Sequence, residues 1–293
     1  MRFAIFGNTA HTLQSAIIFK LVDQLQSYGD FILAERTYMQ LLKEQYGRNI
    51  PCDEIIHDDN FQADVVLSIG GDGTFLRTAA RVGSKEIPII GINAGRLGFL
   101  ADVTTGMAGQ AIALIHDGRF SLERRSLIEL DMDGIPGNVP HFALNDIAVL
   151  KHDISSMINI HTSIDGNYLT TYMADGLVIA TPTGSTAYSL SVGGPVIAPG
   201  TDVIELVPVA PHSLTMRPLI VQNSRKITIN VESRSHNFLV SVDGHSFSCA
   251  DGTAIGIHRA PFHINVIKPE GSDFFSTLRE KMMWGTDTRE LHK

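Results

Sequence analysis

Five consecutive residues, Gly70-Gly71-Asp72-Gly73-Thr74, bring together three glycines, a carboxylate and a hydroxyl. Glycines let a backbone come close to a ligand and take up positive φ. They follow the β-branched run Val65-Val66-Leu67-Ser68-Ile69 and precede apolar residues at helical spacing, Phe75, Leu76, Ala79, Ala80 and Val82. This is the pattern of a buried strand, a turn and a helix N-terminus. The first N–H groups of such a helix and the positive end of its dipole favour phosphate. Asp72 is the discordant member, because a carboxylate beside phosphate adds repulsion. Two chemical roles fit it: taking a proton from an attacking hydroxyl, or helping to hold a divalent cation. A structural role fits equally, since Asp is a good helix N-cap.

Three further clusters carry polar chemistry. Gly91-Ile92-Asn93-Ala94-Gly95-Arg96-Leu97-Gly98-Phe99-Leu100 follows the next buried strand, predicted over residues 87–92. Its place in the order puts it beside the Gly70 loop, either as a turn-rich loop or as a second wall of one site. Asn145 and Asp146 interrupt an apolar strand pattern over residues 144–150. Adjacent strand residues face opposite sides, so one of the pair is expected in an apolar setting, where an unpartnered polar group is costly. Such a pair is either a hydrogen-bonded structural element or a reader of a ribose diol and a base edge.

The longest unusual stretch starts at Asp175-Gly176, runs through a strand over residues 177–180 and continues as Thr181-Pro182-Thr183-Gly184-Ser185-Thr186-Ala187-Tyr188-Ser189-Leu190-Ser191-Val192-Gly193-Gly194-Pro195. Its small, hydroxylated residues bury little apolar area, and with one tyrosine they suit a loop wrapped around a polar, planar ligand. Structureless loops of this length are uncommon in compact domains unless functional. Arg217 is a candidate cation for the same site, or a solvated side chain.

The elements that must position these residues fall into two halves. Residues 1–118 alternate between strand and helix signals. A strand over residues 3–6 turns at Gly7-Asn8-Thr9 into a helix carrying Leu13, Ile17, Leu21 and Leu25. A second strand over residues 31–33 leads to a helix through Met39, Leu41 and Leu42 that ends near Gly47, and a last helix spans residues 107–116. That alternation predicts a doubly wound parallel sheet, with ligands beyond the carboxyl ends of its strands. Residues 119–269 change to period two. Ile158, Ile160, Thr162 and Ile164 alternate with polar residues, as do Ile227, Ile229 and Val231, then Phe238, Val240 and Val242 before Asp243-Gly244. This predicts a β-rich, sandwich-like domain. Residues 270–293 return to helical spacing through Phe274, Phe275, Leu278 and Met282 and are expected to pack on the first domain.

Composition narrows the function. The chain has 293 residues, 44 % of them hydrophobic, and a formal charge of -8. The acidic balance speaks against nucleic acid and anionic membranes as partners. Two cysteines, Cys52 and Cys249, make neither a disulfide framework nor a metal set, and the reading is a cytoplasmic protein. The start reads as a buried strand rather than a signal peptide, and no apolar run approaches the about 18 residues of a membrane helix. Walker, Rossmann, serine-hydrolase and paired-metal signatures are absent.

Taken in order and spacing, Gly70 to Thr74, Asn93 to Leu100, Asn145-Asp146 and Asp175 to Pro195 resemble the NAD kinase family. The glycine loop alone is shared with diacylglycerol-type lipid kinases and phosphofructokinases, whereas the stretch from Asp175 through Ser191 is specific. The resemblance implies an N-terminal α/β domain, a C-terminal β domain and a homo-oligomer, dimer or tetramer. It implies transfer of phosphate from ATP, with a divalent cation such as magnesium, to the adenosine-ribose 2′-hydroxyl of NAD, giving NADP.

By the same resemblance Asp72 matches the proton acceptor and Gly73 its ribose-facing neighbour. The backbone N–H groups from Gly70 and Gly71 to Gly73 are expected to orient the ATP phosphates, and Arg77, one turn after Asp72 on the helix, is placed to meet phosphate. Asn145 matches an adenine and ribose contact, with Asp146 where the family commonly has the longer Glu. Thr186, Ala187, Tyr188, Ser189, Leu190 and Ser191 match the segment enclosing the adenosine, and Asp175 its polar partner. His245 stands where many members carry Gln or Asn. The magnesium is expected on phosphates and water, because no all-protein cage is visible. Two rivals remain at this level. A lipid kinase would require a basic or apolar membrane face, and a silent dinucleotide sensor would not need Asp72.

Overall fold

The computed structural model describes residues 1–8, 17–95, 98–153 and 156–285. Thr9, Leu13, Arg96 and Leu97, which the sequence assigns to a turn, a helix and the second glycine cluster, lie outside them. The chain divides into two compact units, Met1–Arg124 with Ile264–Lys293, and Arg125–His263.

In the first unit, β1 (Arg2–Gly7), β2 (Phe31–Glu35), β3 (Glu54–Ile56), β4 (Val65–Gly70) and β5 (Ile89–Asn93) pair in parallel in the order β3-β2-β1-β4-β5. Between them run α1 (Ile17–Ser27), α2 (Arg36–Tyr46) and α3 (Asp72–Val82), and after β6 (Val103–Thr104) comes α4 (Ala108–His116). All six residues of β4 are buried, as a central parallel strand covered on both faces requires. α1 turns Ile18, Leu21, Val22 and Leu25 inward; Leu21 and Leu25 are two of the residues that marked it in sequence, and Ile17 is half-buried. α2 stops at Gly47, whose φ of 69° supplies the left-handed C-cap. β5 starts at Ile89 rather than Ile87, following Pro88, which has no N–H to give a ladder. Strand order reverses between β1 and β4, the place beyond whose strand ends doubly wound sheets bind ligands.

The second unit is built from β7 (Phe120–Asp131), β8 (Phe142–Ala143), β9 (Asp146–Lys151), β10 (Ile158–Ile164), β11 (Asn167–Ala174) and β12 (Gly176–Ala180). After the short helix α5 (Tyr188–Ser191) come β13 (Val203–Val209), β14 (Leu219–Gln222), β15 (Ile227–Glu232), β16 (Asn237–Val242), β17 (His245–Ala250) and the long β18 (Ile255–Pro269). One antiparallel sheet has the order β14-β13-β12-β9-β16-β17. The start of β18 pairs with β15, which pairs with β10 and so with β11. Side chains alternate as period two demands. Ile147, Val149, Leu177, Ile179, Phe238 and Val240 of the first sheet share a core with Ile158, Ile160, Ile227, Ile229 and Ile257 of the second layer.

The stretch from Thr181 to Pro195 is not the structureless loop its composition suggests. It forms a 3₁₀ turn at Gly184–Thr186 and then α5. Hydroxyls do what apolar burial cannot: Thr181 Oγ1 donates to the Leu144 carbonyl (2.5 Å), and Ser185 Oγ donates to Pro182 (2.7 Å) while accepting from the Ile197 N–H (3.0 Å).

The tail returns to the first unit. Val266 of β18 pairs with Ile89 of β5, and α6 (Phe274–Met282) follows, its N-terminus capped by Asp273. Leu278 is buried and the Phe274 ring lies 6.2 Å from that of Phe99.

Candidate active site

The carboxylate of Asp72 does not cap its helix. Gly71 is the N-cap of α3 and offers no side chain, so the helix opens with uncapped N–H groups, as an anion site requires. Asp72 instead reaches across to the second glycine cluster. Its Oδ2 accepts the Phe99 N–H (3.0 Å), and its Oδ1 accepts those of Leu100 and Ala101 (3.1 Å each). A Cβ on Gly98 would overlap Asp72 Oδ1, so this close approach needs glycine. The cluster is held in turn by Asn93, whose amide donates to the Ala101 carbonyl (3.0 Å), and by Ala94 N–H on the Gly70 carbonyl (3.1 Å). The second cluster is therefore a wall of the Gly70 loop, as its order in sequence suggested.

Around this loop, a Cβ on Gly70 would run into the Thr74 side chain, while Gly73 is exposed. Arg77 follows one turn later, exposed, with Nη2 donating to Thr74 Oγ1 (3.2 Å). A cavity of about 290 Å³ opens there, lined by Phe6, Gly7 and Asn8 at the end of β1 and by Thr74, Arg77 and Arg81 of α3. Arg81 is engaged by Glu35 and Asp59, whereas Arg77 makes no ion pair among the described residues.

In the second unit the organising group is Asp243, a residue the sequence showed only as a turn. With Gly244 it makes the β16–β17 turn at positive φ, 46° and 84°. Its carboxylate accepts the N–H groups of Leu144 (2.8 Å), Asn145 (2.8 Å) and Asp146 (3.1 Å). Burial pushes its pKa up, and the three donors oppose that rise. Asn145 lies just before β9 and is half-buried, and Asp146 opens the strand, buried. The hydroxyl-rich segment rests against them. Thr181 N–H bonds the Asn145 carbonyl (2.9 Å), and a Cβ on Gly184 would collide with the Asn145 backbone.

Asp146 and Glu205 stand in one row across three strands, each register partner to Ala180 on β12. Burial, then the neighbouring Asp243 and Glu205, push the Asp146 carboxyl up to about 7. Glu205 is fully buried, and neither of its oxygens has a hydrogen-bond partner. Burial lifts it to about 7, partly opposed by the Ser189 hydroxyl beside it, though that contact lacks hydrogen-bonding geometry. Neither Glu205 nor this pairing was visible in the sequence, because the row exists only across strands far apart in the chain.

The remaining expected residues divide clearly. Tyr188 is exposed on α5, and burial together with Asp146 and Asp175 raises its pKa, which places the three in one electrostatic neighbourhood. Asp175 pairs with Lys151 (2.7 Å). Thr186 and Ala187 are half-buried, Leu190 likewise, and Ser191 is exposed with its hydroxyl on the Tyr188 carbonyl (2.7 Å). Ser189 departs from expectation: it is fully buried, because α5 turns it toward the sheet, so it supports the segment from beneath and presents nothing to a ligand. Arg217 is exposed and spends its guanidinium on the carbonyls of Leu214 and Met216 (2.7 Å each). His245 is exposed and contacts the Val242 carbonyl (3.3 Å). No group of three His, Cys, Asp or Glu side chains suited to a metal occurs among the described residues.

Residues 8–120 match the ATP-NAD kinase N-terminal domain and residues 144–268 the ATP-NAD kinase C-terminal domain. An NAD kinase of Bacteroides fragilis is 50 % identical over 289 residues, which cover 99 % of this chain and 100 % of that protein. One from Porphyromonas gingivalis is 42 % identical, covering 98 % and 99 %. Among solved structures, yeast NADH kinase complexed with NADH aligns with a TM-score of 0.88 at 23 % identity, over 99 % of this chain and 89 % of that one. An NAD kinase from Archaeoglobus fulgidus in complex with ATP aligns with a TM-score of 0.75 at 26 % identity, over 97 % and 99 %.

Proposed function

Because the chain belongs to the NAD kinase family and phosphorylates NAD using ATP, we propose that Asp72 is the proton acceptor of that transfer. The observation that carries this reading is a carboxylate fixed by the N–H groups of Phe99, Leu100 and Ala101 at the uncapped start of α3. As the ribose 2′-oxygen bonds the γ-phosphorus, its proton passes to Asp72 and the bond from phosphorus to the ADP oxygen breaks. Such catalysis is mainly positioning and charge neutralisation. The backbone at Gly70, Gly71 and Gly73 meets the phosphates, and Arg77 supplies a cation at the cavity beside them. A divalent cation such as magnesium, when bound with the ATP phosphates, would supply further charge neutralisation there.

The second unit takes NAD. Asn145 contacts adenine and ribose, with Asp146 behind it. Asp175, Thr186, Ala187, Tyr188, Leu190 and Ser191 enclose the adenosine, with Ser189 as support only. The first unit, Met1–Arg124 with Ile264–Lys293, is the nucleotide-binding domain, taking ATP, and the second, Arg125–His263, the NAD-binding domain. The enzyme works in the cytoplasm as a homo-oligomer, dimer or tetramer. No helix of the described residues is long and apolar enough to cross a membrane.

Purified protein incubated with ATP, magnesium and NAD is expected to form NADP, read by an NADP-specific dehydrogenase. No NADP under varied donors and metals would overturn the reading. Tyr188→Ala tests the adenosine contact. Losing an aromatic face against a base costs about 1–3 kcal/mol, so KM for NAD should rise by roughly five- to 150-fold and KM for ATP should stay within a factor of about two. Equal changes in both would place the defect in folding.

A further inference from the structure

Among the described residues, one side chain from the C-terminal helix reaches the carboxylate at the head of α3. Lys281 Nζ lies 3.4 Å from Asp72 Oδ2, the oxygen that also accepts the Phe99 N–H. The same ammonium sits 4.4 Å from the centre of the Phe99 ring. Several contacts bring it there. Asp273 caps α6 through the N–H groups of Phe275 (2.8 Å) and Ser276 (3.0 Å), Leu278 is buried, and Phe274 lies against Phe99. Just before the helix, Lys268 of β18 makes a buried ion pair with Asp102, the residue after Ala101. The tail is thus tied at two places to the segment that donates to Asp72.

The pair is half-exposed, and its expected effect is on the site rather than on stability. Both side chains keep about a third of their exposure, 31 % and 32 %, and ion pairs in such settings contribute little to stability. Yet the ammonium adds a fourth donor to a carboxylate already held by three N–H groups, and so fixes its orientation from a further side. We propose that Lys281 is a positioning residue for the phosphoryl transfer: carried in by α6, it holds Asp72 on the Phe99–Ala101 segment in the orientation that accepts the hydroxyl proton. This rests on the reading of Asp72 as proton acceptor given above.

The test is a double-mutant cycle in the full chain. Lys281→Met, Asp72→Asn and the double variant are assayed for kcat, KM for NAD and ATP, and melting temperature, alongside Lys281→Arg. Lys281→Met is expected to lower kcat roughly fivefold, the size of a half-exposed charge pair, with KM for NAD and the melting temperature unchanged. Lys281→Arg should restore most of the loss. In the Asp72→Asn background Lys281→Met should change kcat less than about twofold, because its target is gone. Equal losses in both backgrounds, or wild-type kcat in Lys281→Met, overturn the proposal. If Asp72→Asn is itself fully active, the proton-acceptor reading fails first. If Asp72→Asn is impaired and Lys281→Met is silent, only the role of Lys281 falls.

Discussion

Asp72→Asn should lower turnover by about 10²–10⁴-fold, the contribution of a positioned general base, while leaving NAD affinity within a few fold. The substitution keeps the shape and removes the proton acceptor. It also replaces one accepting oxygen by an NH₂ group, so either the Phe99 N–H or the Leu100 and Ala101 pair meets a donor instead of an acceptor. That loss should cost about 1–3 kcal/mol of stability, seen as a lower melting temperature in a protein that remains folded. NAD binding by titration calorimetry separates the two effects. A folded variant that binds NAD and barely turns over supports the role, and a fully active one removes it. Because Gly71 is the N-cap of α3, preservation of a cap by Asn is no longer an available explanation for either outcome.

The second large effect concerns Glu205 and is an effect on stability. Its carboxyl lies at about 7 in the folded protein against an ordinary 4.5, raised by burial. The sign follows from linkage: the unfolded chain loses this proton near pH 4.5 and the folded chain only near 7. The group therefore weakens the fold progressively as pH rises between those values and costs most above 7. Glu205→Gln keeps the volume and cannot ionise. It should be more stable than wild type at pH 8 by roughly 3 kcal/mol, the shift converted at about 1.4 kcal/mol per pH unit. Near pH 4 the two proteins should be alike. Urea unfolding at both pH values measures this. Asp146 titrates in the same window and feels Glu205, so the variant keeps a smaller residual pH dependence. A wild type equally stable at pH 5 and 8, or a Gln variant with no gain at pH 8, would show that the carboxyl is not held buried and unpaired in that row.

Much of this molecule is determined by short-range order. Parallel strands and covering helices declare themselves through runs such as residues 65–69 and through apolar spacing such as Leu21 and Leu25, because burial on both faces or on one stripe dictates residue type directly. The period-two strands and the Asp243-Gly244 turn are legible for the same reason. So is the loop at Gly70, where a Cβ would run into the Thr74 side chain. What each functional side chain touches is different. Asp72 and Asp146 each looked like local features, a helix start and a strand pair. Only folding showed that one carboxylate is held by the backbone of residues 99–101, and that Asp243, 97 positions away, holds the backbone on either side of Asn145. Glu205 stands in a row with Asp146 only because both pair with Ala180. Lys281 meets Asp72 only because α6 lays it there. Periodicity records which face a residue turns inward. It holds no information on which distant backbone group, carboxylate or ammonium waits there, since those meetings are set by strand order, register and chain return.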